Sequence, residues 1–495
     1  MSTLHPAFHP QGIDACSAGE MVAFGYMQDF AVIPIVIIPL LISRRQGRWV
    51  LYMRRLAFLC VCFLTTQTIR YSRCSLGSNL VIGIWSAYLA IWSGVFLVFR
   101  DFEECFMRVE EHVVMEDIQQ SPCKDQTYTS SAAIQHEEPS TRKRHQQPTS
   151  TAPASQKVHL LRWQKYPDTL LHRFFWVLDM LLSLKGAGWN WGPSSQSLSL
   201  PRLLPSRTLD DRKNPLRALM LTSSLKSLAL YLQMLLLQAI ALRDPYFWGP
   251  YAPPSHQPAL VPQSAFQRAT RACLSAAMIW TSMALIASSL ALAHTLITAC
   301  IRSFRNKTGT VALESAWLSH ADTLLLPDTD TEARSPPTPQ TTATLEWFWG
   351  SFWHQTYRQG LVEASRWLLT PLAKTHIDRR FRTTVFRFLV FSLSGAIHWC
   401  GLYTGLVPGG GSPSWRPVLF FAVQPVGMFA VGWLRGLLLS SGRSERLWRV
   451  VDLGVTFAWL VGTAPWLLDE LAWTGTWVLD VPGLGDVGRM VGLGG

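Results

Sequence analysis

The chain has 495 residues, a net charge of +12 and a charged fraction of only 15%, against roughly 25% for a typical soluble chain. Apolar residues make up 48% but are clustered into long uncharged runs separated by short basic clusters. That pattern excludes a soluble globular enzyme, and nine cysteines without a CxxC pair exclude a disulfide scaffold. The arginines flank apolar runs, as in a membrane protein that orients itself by charge, so nucleic acid is not an expected partner.

A membrane-crossing helix needs about 20 apolar residues, and about eight stretches qualify: 22–42, 51–69, 80–99, 219–242, 273–301, 388–406, 418–439 and 450–468. The expected fold class is all-α, a polytopic transmembrane helix bundle with two disordered cytosolic loops. Pro34 and Pro39 interrupt the first span and Asp29 lies inside it. Arg54 and Arg55, at the start of the second, have stems long enough to snorkel out of the bilayer. The stretch 170–184 is apolar but broken by His172, Arg173 and Asp179, which predicts an interfacial helix. The order predicts an N-terminal tail (1–21), three spans (22–99), a polar, partly disordered loop (100–169), a core (170–475) and a Gly-rich tail (476–495).

Lys and Arg are dense in the first loop (Arg44, Arg45, Arg48), after the fifth span (Arg302, Arg305, Lys307) and before the sixth (Arg379, Arg380, Arg382, Arg387). The positive-inside rule therefore puts the N-terminus on the lumenal side and segments 100–218 and 302–387 in the cytosol. Arg243, Arg268 and Arg271 in the loop 243–272 run against this. Tracts 119–157 and 327–344 are too polar to offset the entropy of ordering them.

Two stretches could carry chemistry. In residues 346–358, EWFWGSFWHQTYR, a continuous helix would stack Phe348 on Phe352, line up Trp349, Trp353 and Tyr357, and put His354 and Arg358 on one face. Such a helix would lie in the membrane interface, where an aromatic belt with an incidental histidine is the plainer reading. The second stretch is SLSGAIHWCG, 392–401. His398 sits mid-span among small residues (Ser394, Gly395, Gly401), and an ionisable group within the bilayer marks a functional site by default. The plainer alternative is a hydrogen bond to a neighbouring helix. A histidine in a dry site suits transfer of an acyl group to an alcohol: it removes the proton of a poor nucleophile and water is kept out. His5, His9 and His294 are weaker candidates. The string Gly483-Leu484-Gly485-Asp486-Val487-Gly488 lacks the strand, helix and acidic residue a dinucleotide site requires.

These motifs together resemble the fungal wax synthase-like branch of membrane-bound O-acyltransferases. FWGSFWHQ (348–355) is similar to that branch's FWGRRWHQ-type motif and SGAIHW (394–399) to its intramembrane histidine motif. KGAGWNW (185–191), FFAVQP (420–425) and TAPW (463–466) follow in the family's order. Ser351-Phe352 stands where the family has an arginine pair, and Lys185 where it commonly has Arg. The resemblance implies a bundle in the endoplasmic reticulum, with acyl-CoA, in particular acetyl-CoA, as co-substrate and no bound cofactor or metal. The partners it implies are a hydrophobic alcohol acceptor (a terpenoid, meroterpenoid or polyketide) and the lipid bilayer. His398 and His354 would be catalytic, and Trp349, Trp353, Gln355, Arg358, Ser394 and Asn190 would bind substrate. A wax ester synthase using fatty acyl-CoA and a fatty alcohol is the alternative within the class. A transporter or catalytically inert membrane protein is the alternative outside it.

The orientation has a reporter. Asn306-Lys307-Thr308 is an N-glycosylation sequon beside the basic cluster after the fifth span. In a eukaryotic host Asn306 is expected to carry no glycan, and a sequon moved into the 327–344 tract is expected to stay bare as well. A mobility shift on deglycosylation of either form would place segment 302–387 in the lumen.

Overall fold

The computed structural model describes residues 20–71, 78–116, 156–184, 186, 189–192, 202–203, 215–251, 264–308, 344–353, 355–374, 378–405, 413–439, 445–474 and 476–477. The N-terminal tail, most of the two polar tracts, Lys185, His354, Gly409–Gly411 and the C-terminal tail lie outside the described residues, as do the side chains of Asp29 and His294.

The architecture is a bundle of helices. In chain order they are α1 (Glu20–Leu41), α2 (Trp49–Tyr71), α3 (Ser78–Gly94, running into a π-turn at Val95–Phe99), α4 (Leu170–Leu182), α5 (Pro215–Ala241) and α6 (Ala265–Thr308). They continue as α7 (Arg358–Leu368), α8 (Arg379–Gly405), α9 (Arg416–Leu439), α10 (Glu445–Thr463) and α11 (Pro465–Trp473). Six helices among the described residues are long and apolar enough to cross a membrane, or seven if α10 and α11, bent by 41°, form one span. The first expected span, 22–42, corresponds to α1, whose described apolar part, Ala31–Leu41, is shorter than a full crossing. The expected interfacial helix at 170–184 is α4.

The outer surface is apolar for the same reason. Leu221, Leu225, Leu228, Leu232 and Leu236 recur at helical spacing on α5 and are all more than half exposed. A stripe of that size faces lipid, not water. The chain is a multi-pass membrane protein.

Tight crossings hold the centre of the bundle. Gly83 on α3 meets Gly401 on α8, and a Cβ built on Gly83 would lie 2.7 Å from the Cys400 carbonyl and 2.9 Å from Gly401 Cα. Small residues at such crossings let helix backbones approach closely, which is the main source of association inside lipid. A short antiparallel sheet is formed by β1 (Arg108–Glu116), β2 (Gln156–Gln164) and β3 (Arg202–Leu203), and the first two strands lie within the stretch 100–169. β1 and β2 pair from Arg108↔Gln164 to Glu116↔Gln156, so the end of the 119–157 tract is strand.

Polar contacts gather the loops at two ends. At one, Tyr166 donates to the Leu40 carbonyl (2.6 Å), Arg173 to the Leu41 carbonyl (3.3 Å), and Arg100 pairs with buried Glu363 on α7 (2.5 Å). This end therefore holds the α1–α2 turn, the sheet, α4 and α7. At the other, Arg271 makes two bonds to Asp244 (2.6 and 2.8 Å), while Arg416 and Tyr246 meet Asp469 (both 3.1 Å). Arg271 thus counts less against the charge-derived orientation than its residue type implies.

Arg54 overturns one expectation. It does not snorkel: it is 3% exposed, pairs with Glu103 at 2.6 Å, donates to the Pro39 and Ile42 carbonyls and stacks over Phe102. Arg55 is the exposed one of the pair. Glu103 also accepts from the Ser43 hydroxyl and the Arg44 backbone N–H, each at 2.8 Å. Burial alone would push its carboxyl up, but the bonds from Arg54, Arg44 and Ser43 outweigh it and hold the acid below its usual range. A depressed carboxylate contributes stability above its unfolded pKa, about 4.3 for Glu, and that stability is lost as pH falls through the folded value. Thermal stability in detergent should therefore fall as pH drops below about 4.3. Glu103→Gln, which leaves Arg54 buried without its partner, should cost about 3 kcal/mol or more at pH 7 and flatten the acid limb. An unchanged acid limb in that variant would remove Glu103 as its source.

Candidate active site in the membrane core

The expected continuous helix over 346–358 is not what forms. Thr344 caps a single turn, Leu345–Trp347, its hydroxyl accepting from the Trp347 N–H at 3.2 Å. The chain then widens into a π-turn at Phe348–Phe352 and leaves the helix at Trp353, which is extended (φ −67°, ψ 152°). Only at Arg358 does a new helix, α7, begin. The extended Trp353 breaks the 3.6-residue register between Trp349 and Arg358; the shared face expected of His354 and Arg358 lies outside the described residues, since His354 does. π-turns are rare and recur at functional sites.

The π-turn drives Trp349 into the bundle. Its ring meets Phe391 of α8 edge-on (centroids 5.6 Å apart) and lies against Phe421 and Phe420 of α9 (5.9 and 6.2 Å). Its indole N–H donates to Gln424 Oε1 at 3.2 Å. Trp353 stacks on Phe348, centroids 5.5 Å apart. Phe352 stacks on Trp280 of α6 at 5.2 Å. The segment is also pinned by an ion pair, Glu346 to Arg387 at 2.7 Å.

His398 faces the same aromatic wall. Its ring lies 4.4 Å from that of Phe421, centroid to centroid, tilted by 31°. The approach is close because Gly395, one turn earlier, leaves no room for a side chain: a Cβ there would sit 2.9 Å from Val418 Cα. Nδ1 of His398 is 2.8 Å from the Ser394 carbonyl. A carbonyl only accepts, so Nδ1 carries the hydrogen and donates, and in the neutral ring Nε2 holds the lone pair. Ser394, read from sequence as a substrate contact, supplies its backbone carbonyl to this bond.

The other sequence candidates fall as follows. Gln355 donates through Nε2 to the Trp349 and Trp353 carbonyls, while its Oε1 is buried with no hydrogen-bond partner among the described residues. Arg358 is exposed at the start of α7. Asn190 has its amide committed to the turn before β1, donating to the Cys105 carbonyl at 2.9 Å and accepting from the Met107 N–H at 3.1 Å. His354 lies outside the described residues. The structure thus brings Trp349 and His398 together through Phe421, and sets Gln355 beside Trp349. From sequence, Gln424 and Phe421 stand out only as part of the FFAVQP motif and carry no site role, although an amide within a span is a signal of the same kind as a histidine.

Residues 337–423, which include both Trp349 and His398, match the family model described as the membrane bound O-acyl transferase family. That match falls on the segment that builds the site. The chain is also similar to "Acetyltransferase pyr8" of Aspergillus fumigatus, with 27% identity over 157 residues. The similarity covers 30% of this chain and 36% of that relative, so it spans about a third of either protein. No solved structure matches.

The close approach at Gly395 can be tested directly. Gly395→Val should lower thermal stability by about 1–3 kcal/mol, the usual penalty for overpacking. Ala396→Val, one residue on and exposed, should stay within about 0.5 kcal/mol. Equal effects would contradict the α8–α9 contact.

Proposed function

We propose that the protein is an O-acyltransferase of the endoplasmic reticulum membrane that moves an acyl group, acetyl in the first instance, from acyl-CoA to a hydroxyl of a hydrophobic secondary metabolite. The observation that carries this is His398: an imidazole in the apolar core of a span, held by its Nδ1 hydrogen on the Ser394 carbonyl so that Nε2 is the basic nitrogen. The family match over 337–423 supports the reaction class, and the relative's name supports acetyl as the group. A terpenoid, meroterpenoid or polyketide alcohol is the acceptor class that the sequence resemblance implies.

In this reading Nε2 takes the proton of the acceptor hydroxyl as its oxygen attacks the thioester carbonyl. The carbon–sulfur bond breaks, the CoA thiolate leaves, and the proton passes from the imidazole to the sulfur. The ester is released and His398 returns to its starting form. No acyl-enzyme is needed. The surrounding rings of Phe421, Trp349 and Phe391 exclude water, which would divert the acyl group to hydrolysis. Trp353 borders the donor side, and His354, its neighbour in sequence, is assigned a catalytic role by the resemblance alone. Gln355 Oε1, an acceptor with no donor of its own among the described residues, takes a hydrogen bond from a substrate N–H or O–H. Arg358, exposed next to this segment, pairs with a donor phosphate, for which a guanidinium fork is suited. The gathering of α7, α4 and the α1–α2 turn at one end of the bundle supports a single cytosolic face for CoA. The Arg435–Asp452 pair (3.9 Å) offsets two of the few charges within the spans, which leaves little for a transport path.

The test is microsomal turnover with labelled acetyl-CoA or a long-chain acyl-CoA and a panel of terpenoid, polyketide and fatty alcohols. His398→Ala should lower turnover at least about a hundredfold while the protein still accumulates. Arg358→Ala should raise the KM for acyl-CoA more than that for the alcohol. Near-normal turnover in well-folded His398→Ala would overturn the base assignment, and a preference for long-chain acyl-CoA with fatty alcohols would favour wax ester synthesis.

A further inference from the structure

Gln424 is completely buried in the middle of α9, in a stretch with no charged side chain. A glutamine amide has two donor hydrogens and an oxygen with two lone pairs, and the bonds of Gln424 match that capacity. Oε1 accepts the indole N–H of Trp349 and the indole N–H of Trp459, both at 3.2 Å. Nε2 donates to the Phe420 carbonyl at 2.8 Å and to the Thr463 hydroxyl at 3.4 Å. One amide therefore joins three elements: the π-turn segment, α9 itself and α10. Within lipid, no water replaces a bond that is lost.

The consequence reaches the site through Trp349. Its ring shares Phe421 with His398, so the tilt of Trp349 sets the shape of the wall beside the imidazole. Apolar contact alone leaves an indole free to rotate against phenyl rings. The N–H bond to Gln424 fixes one rotamer. Cavity space near Trp459 gives no freedom either, since a Cβ on Gly427 would lie 2.6 Å from the Trp459 indole nitrogen.

We propose that Gln424 is a positioning residue of the acyl-transfer site, acting through the Trp349 indole N–H. This rests on the acyltransferase reading above. The variants are Gln424→Met, similar in length with no polar group, and Gln424→Glu, which keeps an oxygen acceptor and, when protonated, a donor. Trp349→Phe and Trp459→Phe each remove one indole N–H and keep a ring. The measurements are kcat and KM for acetyl-CoA, and hydrogen exchange of the backbone amides of 345–353 in the full-length protein in detergent.

Gln424→Met and Trp349→Phe should each lower kcat about 10- to 100-fold, the cost of a misplacement of about 1 Å, with KM for acetyl-CoA nearly unchanged. The double variant should be no worse than the worse single one, and Gln424→Glu should recover most of the kcat. Multiplicative losses in the double variant, or a loss in Trp459→Phe equal to that in Trp349→Phe, would overturn the proposal and leave Gln424 as a bundle contact. If Gln424→Met does not accumulate, the comparison of the two tryptophan variants decides in the same way. If the wild type turns over no substrate, the acyltransferase reading fails and exchange decides the positioning. Faster exchange confined to 345–353 in Gln424→Met supports it, and unchanged exchange there overturns it.

Discussion

The bond from His398 Nδ1 to the Ser394 carbonyl is the contact on which the proposed chemistry depends. It spans one helical turn at 2.8 Å and spends the imidazole's hydrogen on the backbone of its own helix. What is left is a lone pair on the far nitrogen, in a part of α8 where no other base is available. Were the hydrogen on Nε2 instead, that nitrogen would present a donor to the site and could not begin by taking a proton. The Nδ1 partner lies within α8 itself and not on a neighbouring helix. The remaining features of the site decide what Nε2 meets.

Those features are aromatic and amide groups, not charges. Gly395 brings α9 close enough for Phe421 to cover the imidazole. The π-turn at Phe348–Phe352 then delivers Trp349 to the other side of the same ring. The charged groups sit further out, where they fasten ends: Arg54 with Glu103, Arg100 with Glu363, Arg271 with Asp244, Arg416 with Asp469. Such a division follows from the solvent. Charges within the span would have to be paired at high cost, whereas apolar rings positioned by neutral hydrogen bonds leave the core dry.

Much of this was legible from residues 346–425 as a string. Long uncharged runs fix where helices cross the bilayer, since only helices satisfy their own backbone there, and a lone His398 stands out against such a run. The aromatic segment was legible as a site but not as a shape. A π-turn breaks the 3.6-residue spacing on which a face assignment relies, so Trp349, Trp353 and Tyr357 do not line up along one continuous helix. Arg54 was misread because its partner, Glu103, lies 49 residues away, and a snorkelling arginine and a buried one look alike in sequence. The strands 108–116 and 156–164 pair across a long intervening tract, a contact that no local pattern encodes. Gln424 lacked charge and so lacked contrast, although four hydrogen bonds converge on it.

The proposed role of His398 depends on which of its ring nitrogens carries the hydrogen. Nitrogen-15 solid-state NMR of the protein in lipid bilayers, labelled at histidine and compared with His398→Gln to isolate one ring, reads this directly. The result in line with the geometry is a neutral ring with hydrogen on Nδ1 and a bare Nε2, shifting when an acceptor alcohol is added. A ring with hydrogen on Nε2, insensitive to the alcohol, would contradict the role of His398 as the base.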